Sequence, residues 1–332
     1  MTDHSTTAPH DLWDEADALQ GSARTIPVAE ATPFMSVNPV VLPAPGRPAP
    51  LHVRVSAPTT GEELPIVLFS HGGGFTNYIA SNRGFSPLAD FWAAHGFVVV
   101  QPTHLSSKSL GLPRTAPDAR AYWESRVEDL TAVLDHFDRV EAAVPGLAGR
   151  ADLSRVAVAG HSMGGQSASM LLGAGVEENG EKVRRVDDRI KAGVLLAATG
   201  AGGDHLTEMA ARFTALRTAR FDEMATPTLV VVGDQDHAPE LTSRGAAYHA
   251  DAYHQAPGPK SLLTLHGGEH MLGGITGYDT TETTDENPER VAVIQRMTWA
   301  FLRGALAGDS EAWRSAASAF GDLQAIGRLE SK

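Results

Sequence analysis

RVAVAGHSMGGQSASMLLGA, residues 155–174, joins a short apolar segment to a Gly-His-Ser-Met-Gly turn and then to a helix-forming stretch. Strand, tight turn and helix in that order describe a nucleophile elbow, in which the turn lifts a serine hydroxyl above the edge of a sheet. The pattern G-x-S-x-G alone is weak, since a chain with 33 glycines meets it by chance roughly 0.2 times. Its place directly after a buried strand is what gives it meaning. The turn forces a strained backbone at Ser162, and side chains two positions to either side would collide, which is why Gly160 and Gly164 belong there.

Outward from this turn, short apolar runs alternate with longer helical patterns. The runs are LHVRVSA (51–57), PIVLFSH (65–71), GFVVVQP (96–102), KAGVLLAA (191–198), PTLVVVG (227–233) and KSLLTLH (260–266). Most are apolar at consecutive positions, as expected of strands covered by helices on both faces. Helical periodicity marks 86–96, 120–143, the stretch after Ser162, and 287–306. The alternation predicts an α/β architecture, a doubly wound and mostly parallel sheet flanked by helices. Residues 1–50 are read as an N-terminal extension with a Pro-rich turn at 40–50 between two extended segments, 51–306 as the catalytic domain, and 307–332 as a C-terminal helix packed on the body. Within 199–226 the stretch GDHLTEMAARFTALRTARFDEM reads equally as a small helical lid or as a crossover helix. Trp313, Ala317, Phe320 and Leu323 form one stripe, expected to pack on the body, with a homodimer contact as the alternative.

The chain of 332 residues carries 27 Lys and Arg against 40 Asp and Glu, and a net charge of −13 repels phosphate backbones, so nucleic acid is not an expected partner. The absence of cysteine excludes disulfides and thiolate chemistry. No run of about 18 apolar residues offers a membrane span. The opening MTDHSTTAPHDLWDEADALQ is acidic and lacks the basic start and apolar run of a secretory signal, which sets the expectation of a cytoplasmic protein.

Three further segments supply partners for Ser162. PIVLFS ends in His71-Gly72-Gly73-Gly74-Phe75, where bare backbone N–H groups can approach a substrate oxygen; Gly73 is the first candidate donor and Gly74 the second, with Phe75 a pocket candidate. Met163 offers its N–H at a helix start. No G-K-[ST] or G-x-G-x-x-G pattern follows the glycine run, so a phosphate-binding loop is the weaker reading. PTLVVVG leads into Asp234-Gln235-Asp236-His237, and Asp236, further beyond the strand, is the better acid, with Asp234 bracing the turn. LHGGEHMLGG places His270 in a Gly-flanked loop after the acid, completing the order Ser, Asp, His, while His266 sits at the strand end. His161, adjacent to the serine, points away from the hydroxyl and is read as a packing residue with the pocket as its alternative. His104 reads equally as a pocket residue or a turn cap. Arg126 and Asp129, three apart on a helix, are expected to form an ion pair. No residue group shows metal-ligand spacing and no cofactor fingerprint is visible, so neither a metal nor a cofactor is expected.

PIVLFSHGGG, FWAAHGFVVVQPTH, YWESRVEDLTAVLD, VAVAGHSMGG and TLVVVGDQDHAP with LHGGEH together resemble a branch of the α/β-hydrolases. That branch holds the bacterial polyester hydrolases and cutinases, the chlorophyllases, and the platelet-activating-factor acetylhydrolase-like or dienelactone-hydrolase-like esterases. The resemblance implies a Ser162-Asp236-His270 triad, oxyanion donors at Met163 and Gly73, and hydrolysis of a small-molecule carboxylic ester through an acyl-serine. The chain departs from the polyester hydrolases in having no cysteine and a glycine where they carry an aromatic oxyanion residue. Two other functions fit the same residues: an acyltransferase using this triad, and a non-catalytic ligand-binding relative, which would not require all three side chains.

Overall fold

The computed structural model describes residues 18–74, 76–112, 122–277 and 280–332. Its strands are β1 (Phe34–Leu42), β2 (Leu51–Pro58), β3 (Leu64–Ser70), β4 (Val98–Pro102), β5 (Ala151–His161), β6 (Gly175–Glu178), β7 (Glu181–Arg184), β8 (Ile190–Leu196), β9 (Thr228–Gly233), β10 (Lys260–Leu265) and β11 (Gly327–Ser331). The helices are α1 (Ser86–Ala94), α2 (Tyr122–Asp135), α3 (Phe137–Ala143), α4 (Met163–Leu171), α5 (Thr214–Arg217), α6 (Asp251–Gln255), α7 (Pro288–Ala307) and α8 (Ser310–Gly321).

Among the described residues, nine strands form one sheet in the order β1-β2-β4-β3-β5-β8-β9-β10-β11, and β6 pairs with β7 separately. From β4 to β10 every neighbour is parallel, while the edge pairings β1–β2, β2–β4 and β10–β11 are antiparallel. Consecutive residues of a central strand enter opposite cores. Ile66 and Leu68 pack with Val127 and Leu130 of α2, whereas Val67 and Phe69 pack with Leu88 and Trp92 of α1 and Ile294 and Met297 of α7. That two-sided burial explains the unbroken apolar runs, since each face of the sheet must lose its water. The structure is an α/β-hydrolase fold, mostly parallel and doubly wound as the alternation of elements predicts.

Two regions differ from the sequence expectation, and a third, the C-terminal helix, packs on the body as expected but is followed by an additional strand. The region read as an extension contributes β1, whose register runs from Phe34 against Pro58 to Leu42 against Leu51 with a shift between Val37 and Val40. The segment between β8 and β9 is neither a helical lid nor a crossover helix: its regular parts are a 3-10 turn at Ala210–Arg212 and the single turn of α5. It is tied down by Gln166 of α4, whose amide donates to the Ala215 carbonyl, and by bridges of Leu206 to Thr242 and Arg220 to Gly175. The C-terminal helix α8 packs Ala316 and Phe320 into the core and sets Trp313 edge-on against Phe301 of α7, with β11 following it onto the sheet. Among the described residues no helix is long and apolar enough to cross a membrane.

Candidate active site

β5 delivers Ser162 at its carboxyl end, and α4 begins at the next residue. The serine sits at φ 55° and ψ −121°, a strained backbone for a residue with a side chain. What holds it there is close approach on all sides. A Cβ at Gly160 would fall on the Gly164 carbonyl, and one at Gly164 would fall on the Ser70 carbonyl of β3. Ser162 N–H donates to Leu196 O at 2.9 Å, and its own carbonyl accepts from Gln166 N–H at 3.1 Å, which locks the turn to β8 and to the first turn of α4.

The loops after β9 and β10 bring the other two side chains to this point. His270 Nε2 lies 2.9 Å from Ser162 Oγ, and His270 Nδ1 lies 2.8 Å from Asp236 Oδ2. Asp236 is buried, while Ser162 and His270 are partly exposed. Asp234 instead accepts from Gly267 N–H at 2.8 Å and from the His266 ring at 3.0 Å, bracing the two loops against each other. The His270 loop is pinned by Asp285, which accepts from the N–H groups of Glu269 and Gly273 at 2.8 and 2.9 Å and from Arg290 at 2.8 Å.

The electrostatics suit a base that must gain a proton. Burial alone would raise the Asp236 carboxyl, but the neighbouring His249 ring and the hydrogen bond from His270 outweigh it and hold the group ionised, below the usual carboxylate range. Burial opposes charge on His270. The hydrogen bond and charge of Asp236, with more distant help from Glu240 and Asp285, overcome that and raise its pKa above the ordinary imidazole value.

His249 was not legible from sequence as part of the site. It is fully buried, with Nδ1 2.8 Å from Ala198 O and Nε2 3.3 Å from the second oxygen of Asp236, so the carboxylate lies between two imidazoles. Asp236, His249 and His270 present ligand atoms within 4.8 Å of one another, a grouping that could hold a metal ion and that sequence spacing did not flag. Of these atoms His270 Nδ1 and Asp236 Oδ2 already share a hydrogen bond, and an ion bound at Nδ1 would have to displace the proton between them.

The glycine loop lies behind Ser162. A Cβ at Gly72 would stand 3.3 Å from Ser162 Cβ, and one at Gly73 would stand 3.5 Å from the Met163 side chain, while Gly74 turns toward Ile79 and Glu282. Met163 opens α4, where first-turn N–H groups have no helical acceptor. Gly72 therefore lies against the serine and Gly73 beside the Met163 side chain; Phe75 lies outside the described residues.

His161 and His104 do not reach the surface of the cleft. Both are fully buried. His161 Nε2 donates to His270 O at 2.7 Å beneath the His270 ring, and burial together with His270 lowers its pKa to about 3, keeping it neutral. His104 lies between Ser70 Oγ, 2.9 Å from Nε2, and Asp129, 2.9 Å from Nδ1. Asp129 is claimed by Arg47 at 2.8 Å rather than by Arg126, so the ion pair expected three residues apart is replaced by one that spans the fold. Arg126, wholly buried, reaches the His71 carbonyl, Ser106 Oγ at 2.7 Å and Ser167 Oγ at 2.9 Å.

The sequence model of the chlorophyllase family matches residues 32–179, the segment from β1 to β6 with its glycine loop and elbow. Asp236 and His270 lie beyond the matched segment. A search of curated proteins finds no match.

Proposed function

Taking the chain as an α/β-hydrolase that resembles the chlorophyllases across residues 32–179, we propose that it is a serine esterase with Ser162, His270 and Asp236 as its catalytic triad. The observation that carries the proposal is the unbroken chain of hydrogen bonds from Asp236 through His270 to Ser162, ending at a strained serine beside a bare glycine loop. A family named for chlorophyllase supports ester hydrolysis as the reaction class.

In this mechanism His270 takes the Ser162 proton as the hydroxyl oxygen attacks the ester carbonyl, and Asp236 stabilises the imidazolium and fixes its tautomer. The carbonyl oxygen becomes an anion between the N–H groups of Met163 and Gly73, each such donor contributing about 2.7–4 kcal/mol to transition-state stabilisation. Collapse of the tetrahedral adduct expels the alcohol, which receives the proton from His270. Water then repeats the sequence on the acyl-serine and releases the acid.

The test is hydrolysis of p-nitrophenyl esters from acetate to palmitate by the wild type and by Ser162→Ala. Loss of turnover in the variant across the whole series is the expected result, and the chain-length optimum sizes the acyl pocket. Undiminished turnover would remove Ser162 from the reaction. Adding an alcohol during turnover separates hydrolysis from acyl transfer, because an acyltransferase would deliver the new ester in preference to the acid.

A further inference from the structure

The two proposed oxyanion donors are aimed by different means. The N–H of Met163 shares its peptide plane with the Ser162 carbonyl, which the helix fixes through Gln166 N–H at 3.1 Å. The N–H of Gly73 shares its plane with the Gly72 carbonyl, and Gly73 belongs to no helix or strand. That carbonyl is held by a side chain: His71 Nδ1 lies 2.7 Å from Gly72 O.

The tautomer of His71 follows from its partners. A carbonyl can only accept, so Nδ1 carries the hydrogen; the backbone N–H of His104, 3.1 Å from Nε2, can only donate, so Nε2 is bare. Burial first, then Arg126 and His104, push the His71 pKa well below its ordinary value, and the ring stays neutral in this form. In a trans peptide the C=O and N–H point in opposite directions, so fixing one aims the other. The preceding carbonyl, that of His71, accepts from Arg126, whose Nε donates to Ser167 Oγ; the Ser167 hydroxyl in turn donates to Met163 O at 3.0 Å. One buried guanidinium thus joins the glycine loop to the first turn of the nucleophile helix.

We infer that His71 is a positioning residue of the oxyanion site: its Nδ1–H holds the Gly72 carbonyl and thereby aims the Gly73 N–H at the substrate oxygen, with Arg126 tying that loop to α4. The inference rests on the reading of Ser162 as nucleophile and Gly73 as donor.

His71→Asn and His71→Gln separate this role from bulk packing. The Asn amide nitrogen can stand where Nδ1 stands, whereas Gln extends past it to the Nε2 position and leaves Gly72 O without its donor. His71→Gln should lower kcat by about 10–100-fold, the scale of a misplaced or missing oxyanion donor, with KM within about 3-fold of wild type. His71→Asn should restore most of that loss. An alkyl boronic acid, whose tetrahedral adduct puts an oxygen in the oxyanion site, should bind His71→Gln more weakly in proportion to its kcat/KM, while inhibition by the product alcohol stays as in wild type. Equal losses in the two variants, or a fall in kcat without loss of boronate affinity, would overturn the inference. Arg126→Lys keeps the charge but cannot span His71 O and Ser167 together; it should show the same parallel loss of kcat and boronate affinity, and wild-type values for both would contradict the bracing even if His71→Gln did not fold. Ser162→Ala run beside these variants distinguishes the failures. Full activity in that variant defeats the underlying reading, whereas an inactive Ser162→Ala beside a fully active His71→Gln defeats the positioning role alone.

Discussion

The molecule contains the same hydrogen-bond chain twice. Ser162, His270 and Asp236 are joined at 2.9 and 2.8 Å, and Ser70, His104 and Asp129 at 2.9 and 2.9 Å, through the same ring nitrogens in the same order. Distances alone do not tell them apart. Ser70 closes a regular strand and is fully buried, whereas Ser162 sits at a strained turn beside the glycine loop and reaches the solvent. The charges differ too. Asp129 already compensates Arg47, and burial, Arg126 and Arg47 all disfavour an imidazolium at His104; at His270 the carboxylate of Asp236 favours one. The Ser162 chain thus has, and the buried one lacks, the two features that the proposed catalysis requires: a histidine that can accept a proton and a hydroxyl open to solvent. In the buried copy the same bonds hold β3, β4 and α2 in register behind the glycine loop.

The largest effects should come from breaking the first chain. Ser162→Ala should reduce kcat by about 10⁴–10⁶-fold in the ester assay, the range for loss of a nucleophile in a triad. Asp236→Asn should cost about 10⁴-fold, because an amide no longer stabilises the imidazolium or selects its tautomer. Steady-state kinetics on a short-chain p-nitrophenyl ester measures both.

Breaking the second chain should have the opposite signature. Ser70→Ala leaves the His104 ring and Arg126 each short of a buried partner, costing about 1–3 kcal/mol of stability in denaturant unfolding, while kcat changes by less than about 3-fold. A collapse of kcat at unchanged stability would make Ser70 part of the chemistry.

The smallest effect is on pH dependence. His270 must be neutral to take the serine proton, and its pKa is raised above the ordinary imidazole value, so kcat/KM should fall on the acid side with a midpoint above pH 6.5. Glu240 is exposed and contributes to that elevation, so Glu240→Gln should move the midpoint down, less so at high salt. A midpoint that does not move, or moves up, would show that Glu240 does not act on His270.

Seven central strands and the elbow were legible because burial on both faces writes itself as unbroken apolar runs, and because the turn around Ser162 tolerates only glycine at two positions. β11 was not, and β1 was legible only as an extended segment before the Pro-rich turn, since an edge strand needs little apolar surface: Phe34–Leu42 carries Asn38 and Pro39, and Gly327–Ser331 is mostly polar; the separate pair β6 and β7 was missed as well. The β6–β7 hairpin did carry a signal, Asn179-Gly180, both at positive φ, flanked by charged rather than alternating residues. His270 and Asp236 could be placed together by chain order and loop position. His249 and Arg126 could not, because their partners are brought to them only by the folded sheet; for His71 the Gly72 carbonyl is next in sequence, but the His104 N–H that sets its tautomer comes from the neighbouring strand's loop.

Labelling the folded protein with a fluorophosphonate and mapping the adduct by peptide mass spectrometry decides whether Ser162 alone of the two serines reacts. One adduct per chain is expected, on Ser162, absent from Ser162→Ala, with Ser70 unmodified. An adduct on Ser70, or undiminished ester hydrolysis by a protein labelled at neither serine, would contradict that expectation.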